Sequence, residues 1–580
     1  MPYETIRKPQ KLSFETQMPD WATARQQFTW ESLKEVLRGI PGGGFNLEYE
    51  CIERHCEEGR GGDLAFTWEG KDGSARTYTF DDMRKEINRI ANVLSSLGVK
   101  KGDRVFWFLD RVPELYLGLL ATLKCGAVAG PLFSAFGPEA VRDRVQDAGA
   151  KVIVTSPALV GRVYEVIREL PKLETIVITD RAGTGGHRYL PGEISLECAV
   201  AGASDRFDVV RTSPEDFSIM HYTSGTTGKP KGAAHVHMAA FGHYHTARIC
   251  LELRRGARYW CTADPGWVTG TSYGIFGPWL NGAHVFVTEA GFDAERWYQF
   301  IQKHRIQIWY TAPTAIRMLM KGGEDLPKKY DFTSVYFAGS VGEPLNPEAV
   351  VWGQRVLGLV FHDNWWQTET GCIQVSNYAT QAVKPGSMGR PIPGTEAEVV
   401  DPDGKPCPAG VEGDLVLKPG WPSMFRTYWR RPDLYKSRFK KGWYYSGDRA
   451  KKDADGYIWF IGRDDDVINT AGHLVGPFEV ESALIEHPAV AEAGVIGKPD
   501  PERMEVVKAF VSLKKGFAPT EDLKRELADF VRKRLAAHAY PREIEFLDGL
   551  PKTRSGKIMR RLLKAKELGL PLGDTSTLEE

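Results

Sequence analysis

An alternation of helix and strand patterns near the amino terminus constrains the fold more than any other feature of the sequence. Apolar residues at helical spacing predict a helix that Thr79 caps and Gly98 ends. Residues 104–109 then predict a buried strand, 113–126 a helix with proline in its first turn, and 127–133 a second strand. A strand, helix and strand in this order form a parallel βαβ unit.

Further short apolar runs at 152–154, 176–178 and 285–287 continue the alternation. They predict an α/β fold with mainly parallel sheets covered on both faces. At 580 residues the chain exceeds what one hydrophobic core supports, so the large domain should contain several subdomains.

The pattern changes near residues 462–472, where charged residues and glycine precede a helix, two strands and a long amphipathic helix. We therefore expect an N-terminal domain over 1–464 and a small α+β C-terminal domain over 465–580.

Composition excludes several classes of partner. The 75 Lys and Arg balance the 75 Asp and Glu, which gives no electrostatic reason to expect nucleic acid or an anionic membrane. The eight cysteines form no CxxC pair, and no apolar run reaches the roughly 18 residues of a membrane span. We expect a cytoplasmic protein.

A glycine-rich stretch, YTSGTTGKPKG at 222–232, combines hydroxyl groups, glycines and lysines. Backbone N–H groups, hydroxyl donors and fixed positive charge are what a phosphate-binding loop requires. It does not match the P-loop pattern, because Pro230 follows Lys229 where Ser or Thr is needed. A basic surface loop is the alternative interpretation.

This stretch resembles the signature of the adenylate-forming enzymes, which include acyl-CoA synthetases, luciferases and peptide-synthetase adenylation domains. Four further motifs of that family follow in order, so the resemblance covers nearly the whole chain: GSVGEPLNPE at 339–348, DNWWQTETG at 363–371, YYSGDRA at 444–450 and LPKTRSGKIMRR at 550–561. The resemblance implies that a carboxylate attacks the α-phosphorus of ATP and that the acyl adenylate then forms a thioester with coenzyme A.

The resemblance also implies which residues bind the nucleotide. The glycine-rich loop would close over the β- and γ-phosphates, GEP would line the adenine, and an aspartate would accept hydrogen bonds from the ribose hydroxyls. The expected ATP- and AMP-binding residues are Thr223, Ser224, Gly225, Thr226, Thr227, Gly228, Lys231, Gly342, Glu343, Pro344, Asp363, Trp365, Gln367, Asp448 and Arg463.

Catalytic roles follow from the same resemblance. Glu369 would hold Mg²⁺, which prefers oxygen ligands and needs few protein carboxylates beside substrate phosphates, and Thr368 would donate to the α-phosphate. Lys557 would lie between the two anions that must approach each other during adenylation. Asp465 would be the hinge about which the C-terminal domain rotates. Gly472 and Arg532 would contact coenzyme A.

Within the family, the motifs look like those of the acetyl-CoA synthetase branch. Val268, Thr269, Val341 and Trp366 would surround the acyl chain, and the Trp366 indole would fill the volume that longer chains need. Acetate is therefore the expected substrate, with a propionyl or branched short-chain acyl-CoA synthetase as the nearest alternative.

One position departs from the family pattern. Leu474 stands where an arginine usually contacts the adenylate phosphate, and His473 or Arg463 could substitute in part. Weaker adenylate retention suggests the hypothesis that the enzyme works readily in reverse, from acetyl-CoA toward acetate and ATP.

The sequence disfavours two other functions. A non-catalytic AMP-binding homologue is disfavoured because Lys231, Glu369, Asp448 and Lys557 are all present, and a peptide-synthetase module because no carrier domain follows. The expected partners are acetate, ATP and coenzyme A, and a homo-oligomer is compatible with the sequence.

Overall fold

The computed structural model describes residues 3–180, 187–223, 230–464, 466–470, 473–501, 503–535, 539–553, 558–572, 575 and 578, with only the backbone at 473 and 474. Within this part of the chain, strands form four sheets, which we number I to IV.

The α-helices are Trp21–Gln27, Phe80–Ser96, Pro113–Lys124, Pro138–Ala148, Val160–Tyr164, Leu196–Ala201, Ala239–Cys250, Val268–Thr271, Gly277–Leu280, Ala294–His304, Pro313–Lys321, Pro347–Trp352, Pro432–Lys436, Pro477–Ile485, Glu521–Arg534 and Arg560–Leu568. Shorter 3₁₀ or π turns are Trp30–Glu35, Tyr49–Glu53, Cys56–Arg60, Ile167–Glu169, Ser272–Phe276, Pro327–Lys329 and Gly353–Leu357.

Sheets I and II are parallel in their central strands and antiparallel at edges. Sheet I runs, in spatial order, through Arg390–Pro391, Val375–Ser376, Phe361–Trp365, Phe337–Ser340, Ile308–Thr311, Arg258–Cys261, His284–Thr288, Leu64–Glu69 and Ala75–Thr79. Sheet II runs through Thr427–Tyr428, Lys231–Val236, Phe217–Thr223, Val128–Phe133, Arg104–Leu109, Val152–Thr155, Thr175–Ile178 and Glu193–Ser195. The expected α/β class with mainly parallel sheets is confirmed.

The βαβ unit forms as the sequence predicts. Thr79 and Asp82 make a reciprocal capping box at the start of Phe80–Ser96, and Gly98 ends the helix region at φ +75°. The following helix, Pro113–Lys124, is buried along its whole length. Its Gly118 is obligatory, because a Cβ there would lie 2.0 Å from the Trp107 ring.

Sheets I and II share one hydrophobic core. The cluster that encloses Pro113–Lys124 draws Phe66 from sheet I and Trp107 from sheet II. Helices packed between two parallel sheets explain why this part of the sequence reads as almost continuous apolar runs.

Sheet III is antiparallel and follows sheet I along the chain. Its strands are Ala397–Val400, Glu412–Leu417, Trp443–Lys452, Phe439–Lys440 and Ile458–Arg463. The long strand Trp443–Lys452 lies between Glu412–Leu417 and Ile458–Arg463, and it brings Asp448 opposite Arg463.

Sheet IV and its helices form the C-terminal α+β unit. The strands are His473–Val475, Ile468–Thr470, Met504–Leu513, Val490–Asp500 and Glu543–Phe546. Pro477–Ile485 and Glu521–Arg534 contribute Leu484 and Leu527 to a core cluster of their own. The domain limits at 464 and 465 remain a prediction, since position 465 lies outside the described residues.

Polar contacts join the C-terminal unit to the edge of sheet I. Asn346 Nδ2 donates to Ser482 Oγ at 2.9 Å, and Lys321 Nζ lies 3.0 Å from a Glu492 carboxylate oxygen. The C-terminal unit therefore docks beside the GEP motif. Nowhere in the described ranges is a helix both long and apolar enough to cross a membrane.

Candidate functional site

The site lies where neighbouring strands of sheet I end. Phe337–Ser340 leads into Val341 and the GEP motif, and Phe361–Trp365 leads into Trp366 and TETG. Asp363 connects the two segments by accepting the Leu345 backbone N–H at 3.2 Å. Carboxyl ends of parallel strands are where open α/β sheets place their ligands.

Asp448 is the centre of a buried hydrogen-bond group. Its Oδ2 accepts from Trp365 Nε1 at 2.9 Å and from Gln367 Nε2 at 2.8 Å. Tyr444 in turn donates to Gln367 Oε1 at 3.2 Å. Asp448 is only 5% exposed, so these donors fix a carboxylate from sheet III against the end of sheet I.

Glu369 and Lys231 meet across the ring of Tyr428. The Tyr428 hydroxyl donates to Glu369 Oε1 at 2.7 Å, and Lys231 Nζ lies 5.8 Å from the centre of the same ring. Burial lowers the pKa of Lys231, while the Glu369 charge opposes that shift and Arg463 adds to it. One positive and one negative side chain are thus held against the same tyrosine.

Thr223 and Lys231 pair directly across the hairpin of sheet II. The predicted phosphate loop joins these strands, so it begins and ends at a residue pair whose Lys231 lies close to Glu369. The predicted residues Ser224, Gly225, Thr226, Thr227 and Gly228 themselves lie outside the described residues.

The carboxylate of Glu343 is engaged by neighbouring side chains. Arg317 Nη2 lies 2.7 Å from one oxygen, and the Thr314 hydroxyl donates to the other at 2.6 Å. The preceding Gly342 has φ +96°, a conformation that L side chains rarely adopt. The GEP motif therefore presents a turn with its acidic side chain directed to Arg317.

Trp366 packs edge-on against the buried ring of Tyr273, with ring centres 5.1 Å apart and planes at 81°. The Tyr273 hydroxyl lies 2.7 Å from Thr246 Oγ1 and accepts the Ile373 backbone N–H at 2.7 Å. Val341 belongs to the core cluster against which Trp366 packs. An aromatic side chain with this much support is a rigid wall.

Val268 and Thr269 lie on the short helix Val268–Thr271, which leads directly into the turn that carries Tyr273. Thr271 fixes this helix, since its hydroxyl lies 2.8 Å from His221 Nε2. The two predicted pocket residues thus belong to the same chain segment as the support of Trp366.

Buried histidines hold the TETG segment, which includes Thr368, from behind. His243 Nε2 donates to the Gly371 carbonyl at 2.9 Å, and His235 Nδ1 donates to the Ser423 carbonyl at 3.1 Å. Gly371 has φ +71°, and a Cβ there would lie 2.2 Å from the Ser423 oxygen. The backbone around Thr368 and Glu369 is therefore closely packed.

The C-terminal residues divide into two groups. Arg532 is exposed and lies 5.7 Å from the Tyr540 ring, so the structure does not bring it to the other site residues. Asp465, Gly472 and Lys557 lie outside the described residues, as do the side chains of His473 and Leu474.

The segment that contains Lys557 is anchored at both ends. Before it, Lys552 Nζ lies 2.6 Å from Glu492; after it, Arg560 makes a bidentate pair with Glu481 at 2.8 and 2.5 Å. Glu343 and Pro344 line a small cavity together with Lys552 and Arg560. The ends of this segment therefore face the GEP motif.

Sequence reasoning missed several residues of this site. Tyr428, Arg317 and Tyr273 belong to none of the five motifs, and each acts through a partner distant in the chain. Tyr444 lies in the YYSGDRA motif, and its place in that motif was the only feature of the sequence that could have identified it as a site residue.

Glu369 is the residue expected to hold Mg²⁺. Among the described residues, no group of three or more His, Cys, Asp or Glu could hold a metal. A lone Glu369, with one oxygen bonded to Tyr428, fits a cation that takes most ligands from substrate phosphates and water.

Comparisons with known proteins identify the family. The AMP-binding enzyme family matches residues 52–429, and the AMP-binding enzyme C-terminal domain matches 479–557. The acetyl-coenzyme A synthetase of Bacillus subtilis is 50% identical over 96% of this chain and 96% of its own length. That of Methanothrix thermoacetophila is 42% identical over 99% of this chain and 94% of its own.

Solved structures give the same result. A crystal structure of an acyl-CoA synthetase from Brucella canis superimposes with a TM-score of 0.74 at 36% identity, covering 95% of this chain and 99% of that one. The anthranilate CoA ligase AuaEII in complex with anthranoyl-AMP superimposes with a TM-score of 0.82 at 29% identity, covering 91% and 98%. The chain belongs to the AMP-binding enzyme family and, within it, to the acetyl-CoA synthetases.

Proposed function

We propose that the protein is an AMP-forming acetate:CoA ligase. In the first half-reaction acetate attacks the α-phosphorus of ATP, which gives acetyl adenylate and releases pyrophosphate. In the second, the coenzyme A thiolate attacks the acetyl carbon, which forms acetyl-CoA and releases AMP. Both ATP and coenzyme A are substrates rather than resident cofactors.

Nucleotide binding uses the cluster at the ends of sheets I, II and III. Asp448 accepts hydrogen bonds from the ribose hydroxyls, since Trp365 and Gln367 already fix its orientation. Because the Glu343 carboxylate is engaged by Arg317, the GEP turn meets the adenine through its backbone together with Pro344. Thr223 and Lys231 place the two ends of the loop that grips the β- and γ-phosphates.

Adenylation brings two anions together, and positive charge reduces their repulsion. Lys231 and Arg463 supply fixed charge from the large domain, and Lys557 supplies it from the C-terminal domain. Glu369 would hold Mg²⁺, and when bound this ion neutralises phosphate charge. Thr368 donates to the α-phosphate from the TETG segment, whose Gly371 carbonyl is held by His243.

Thioester formation needs a different surface of the C-terminal domain. Rotation about Asp465 withdraws Lys557 and presents Gly472 and Arg532 to coenzyme A. The exposed position of Arg532 on Glu521–Arg534 supports a contact made only after such a rotation.

The observation that carries acetate as the substrate is the position of Trp366. Its indole packs against the core cluster that contains Val341 and is held by Tyr273, whose hydroxyl is itself fixed by two partners. A longer acyl chain would need this rigid wall to move, and overpacking of that kind is unfavourable.

Formation of AMP from ATP, measured with acetate and coenzyme A both present and each omitted in turn, tests the proposal. We expect AMP formation to require both, and acetate to exceed propionate by 10 to 200-fold in kcat/KM. Equal or greater activity with propionate or butyrate would assign the chain to a longer-chain acyl-CoA synthetase. No acid-dependent AMP formation at all would reject the ligase.

A further inference from the structure

A second cavity, of about 300 Å³, lies in the large domain apart from the candidate site. No residue of the candidate site lines it. Its wall is formed by the turn after Trp30–Glu35, the π turn Cys56–Arg60 and the helix Ala239–Cys250. Described lining residues with positive charge are Arg38, Arg54, Arg60, Arg248 and Arg255, and those with negative charge are Glu35 and Glu58.

Two of these arginines are held by carboxylates that do not line the cavity, and Arg54 also lies 3.6 Å from the lining residue Glu58. Arg54 is 7% exposed, lies 3.0 Å from buried Glu50 and donates to the Leu280 carbonyl at 2.7 Å. Arg255 makes a two-pronged pair with Asp63 at 2.6 and 3.0 Å. These contacts fix the guanidinium groups in place, as a preformed site requires.

Arg38 and Arg248 have guanidinium N–H donors left to bind a ligand in the cavity. Within the described ranges, no salt bridge joins Arg38 or Arg248 to a carboxylate, and the Arg38 Nε donates only to the Glu35 backbone carbonyl at 2.7 Å. The Arg248 charge also acts on Glu252, but Thr16 and the Gln17 N–H already bind that carboxylate.

Arg60 is destabilised in its charged form by burial and by the neighbouring arginines. Its Nη2 pairs with Glu58, yet its Nε is buried and finds no hydrogen-bond partner among the described residues. Burial, followed by the charges of Arg54 and Arg255, lowers the pKa of Arg60. An anion in the cavity would relieve this repulsion and satisfy the Arg60 Nε.

Guanidinium groups match phosphate oxygens through parallel N–H donors. The remaining lining adds the polar side chains of Tyr244 and Asn281 and an apolar surface from Val36 and Leu280. We propose that this cavity is a binding site for a small phosphate-bearing anion with at least two negative charges. The phosphate can belong to a free oxyanion or to a nucleotide, and the probes below separate these sources.

The test is calorimetric titration of the full-length protein with inorganic phosphate, pyrophosphate and ADP, comparing wild type with the double variant Arg38→Gln/Arg248→Gln. Wild type should show a binding event that the double variant loses or binds at least about tenfold more weakly, since each charged hydrogen bond removed is costly. Arg296→Gln is the matched control, because Arg296 is exposed on another helix and does not line the cavity. Wild type, the double variant and the control all keep the ATP site, so any binding of the probes there is the same in the three proteins. The comparison therefore tests the second cavity even if the proposed ligase function is wrong.

Tighter binding of phosphate or pyrophosphate than of ADP identifies a free oxyanion, and the reverse order identifies a nucleotide. Identical titrations of wild type and double variant with all three probes would overturn the proposal. If the double variant melts at a lower temperature, Arg38→Gln alone decides the matter, because Arg38 is exposed and its substitution leaves the core untouched.

Discussion

The indole N–H of Trp365 donates to Asp448 Oδ2 across 2.9 Å, although the two residues are 83 positions apart. Trp365 ends a strand of sheet I, and Asp448 lies in the long strand of sheet III. Together with the bond from Gln367, this hydrogen bond fixes the carboxylate that we propose binds the ribose against the end of sheet I.

Asp448→Asn should raise the KM for ATP at least about tenfold, because the neutral amide accepts more weakly from the ribose hydroxyls than the carboxylate does. Steady-state kinetics with varied ATP measures the change. Asp455→Asn is the control, since Asp455 is exposed in the turn beyond the same strand. An unchanged KM for ATP would remove Asp448 from the nucleotide site.

Trp366→Gly should shift substrate preference toward longer acids. Removing the indole that packs on Tyr273 opens volume, so butyrate should gain at least about tenfold in kcat/KM relative to acetate. A carboxylate panel measures the profile, and Trp366→Phe should keep most of the preference for acetate. A chain-length profile that does not change in the glycine variant contradicts the assignment.

Lys557→Ala should abolish adenylation while sparing thioester formation from supplied acetyl adenylate. The ammonium group is needed only while two anions approach each other. Pyrophosphate exchange and acetyl-CoA formation measure the two half-reactions separately. Lys566→Ala, an exposed change on the next helix, should affect neither. Equal loss of both half-reactions would refute the division of roles.

We propose that the arrangement in which the ends of the Lys557 segment face the GEP motif is the adenylating one, so Lys321→Met should slow adenylation several-fold and leave thioester formation unchanged. Lys321 lies 3.0 Å from Glu492, which also binds Lys552 shortly before the Lys557 segment. Breaking one contact of this bridge costs about 1 kcal/mol, or roughly fivefold in the population of the docked arrangement. Lys328→Met, which removes an exposed pair with Asp325, is the matched control. No difference between the two variants would show that the Lys321 contact does not select the arrangement.

Acid should destabilise the large domain through its buried histidines. Burial, then the charge of His235, lowers the pKa of His243 from 6.5 to about 3. The unfolded chain therefore binds more protons between these values, so stability is complete above pH 6.5 and falls as the pH drops. At pH 5 the loss from His243 is about 2 kcal/mol in the free energy of unfolding.

Thermal unfolding at pH 7 and pH 5 measures this effect. His243→Gln keeps an N–H donor for the Gly371 carbonyl but does not titrate, so its unfolding temperature should fall less between the two pH values than that of wild type. An equal fall in both proteins would show that His243 does not contribute to acid sensitivity.

Local sequence patterns predicted much of the fold. The Thr79 cap, the buried strand 104–109 and the C-terminal order of helix, strands and helix all depend on hydrogen bonds and apolar spacing within a few residues. The number of large sheets was not readable, because strand pairing such as that of Leu64–Glu69 with His284–Thr288 joins segments far apart in the chain.

The sequence by itself determined the α/β class and the family and predicted the chemical character of the site, because capping, periodicity and short motifs are local properties. Only the tertiary structure decided that Tyr273 supports Trp366, that Tyr428 joins Glu369 to Lys231, and that arginines from separate segments converge on a second cavity. Such contacts arise when sheets and helices pack, and packing depends on the shape and burial of whole surfaces rather than on the spacing of residues along the chain.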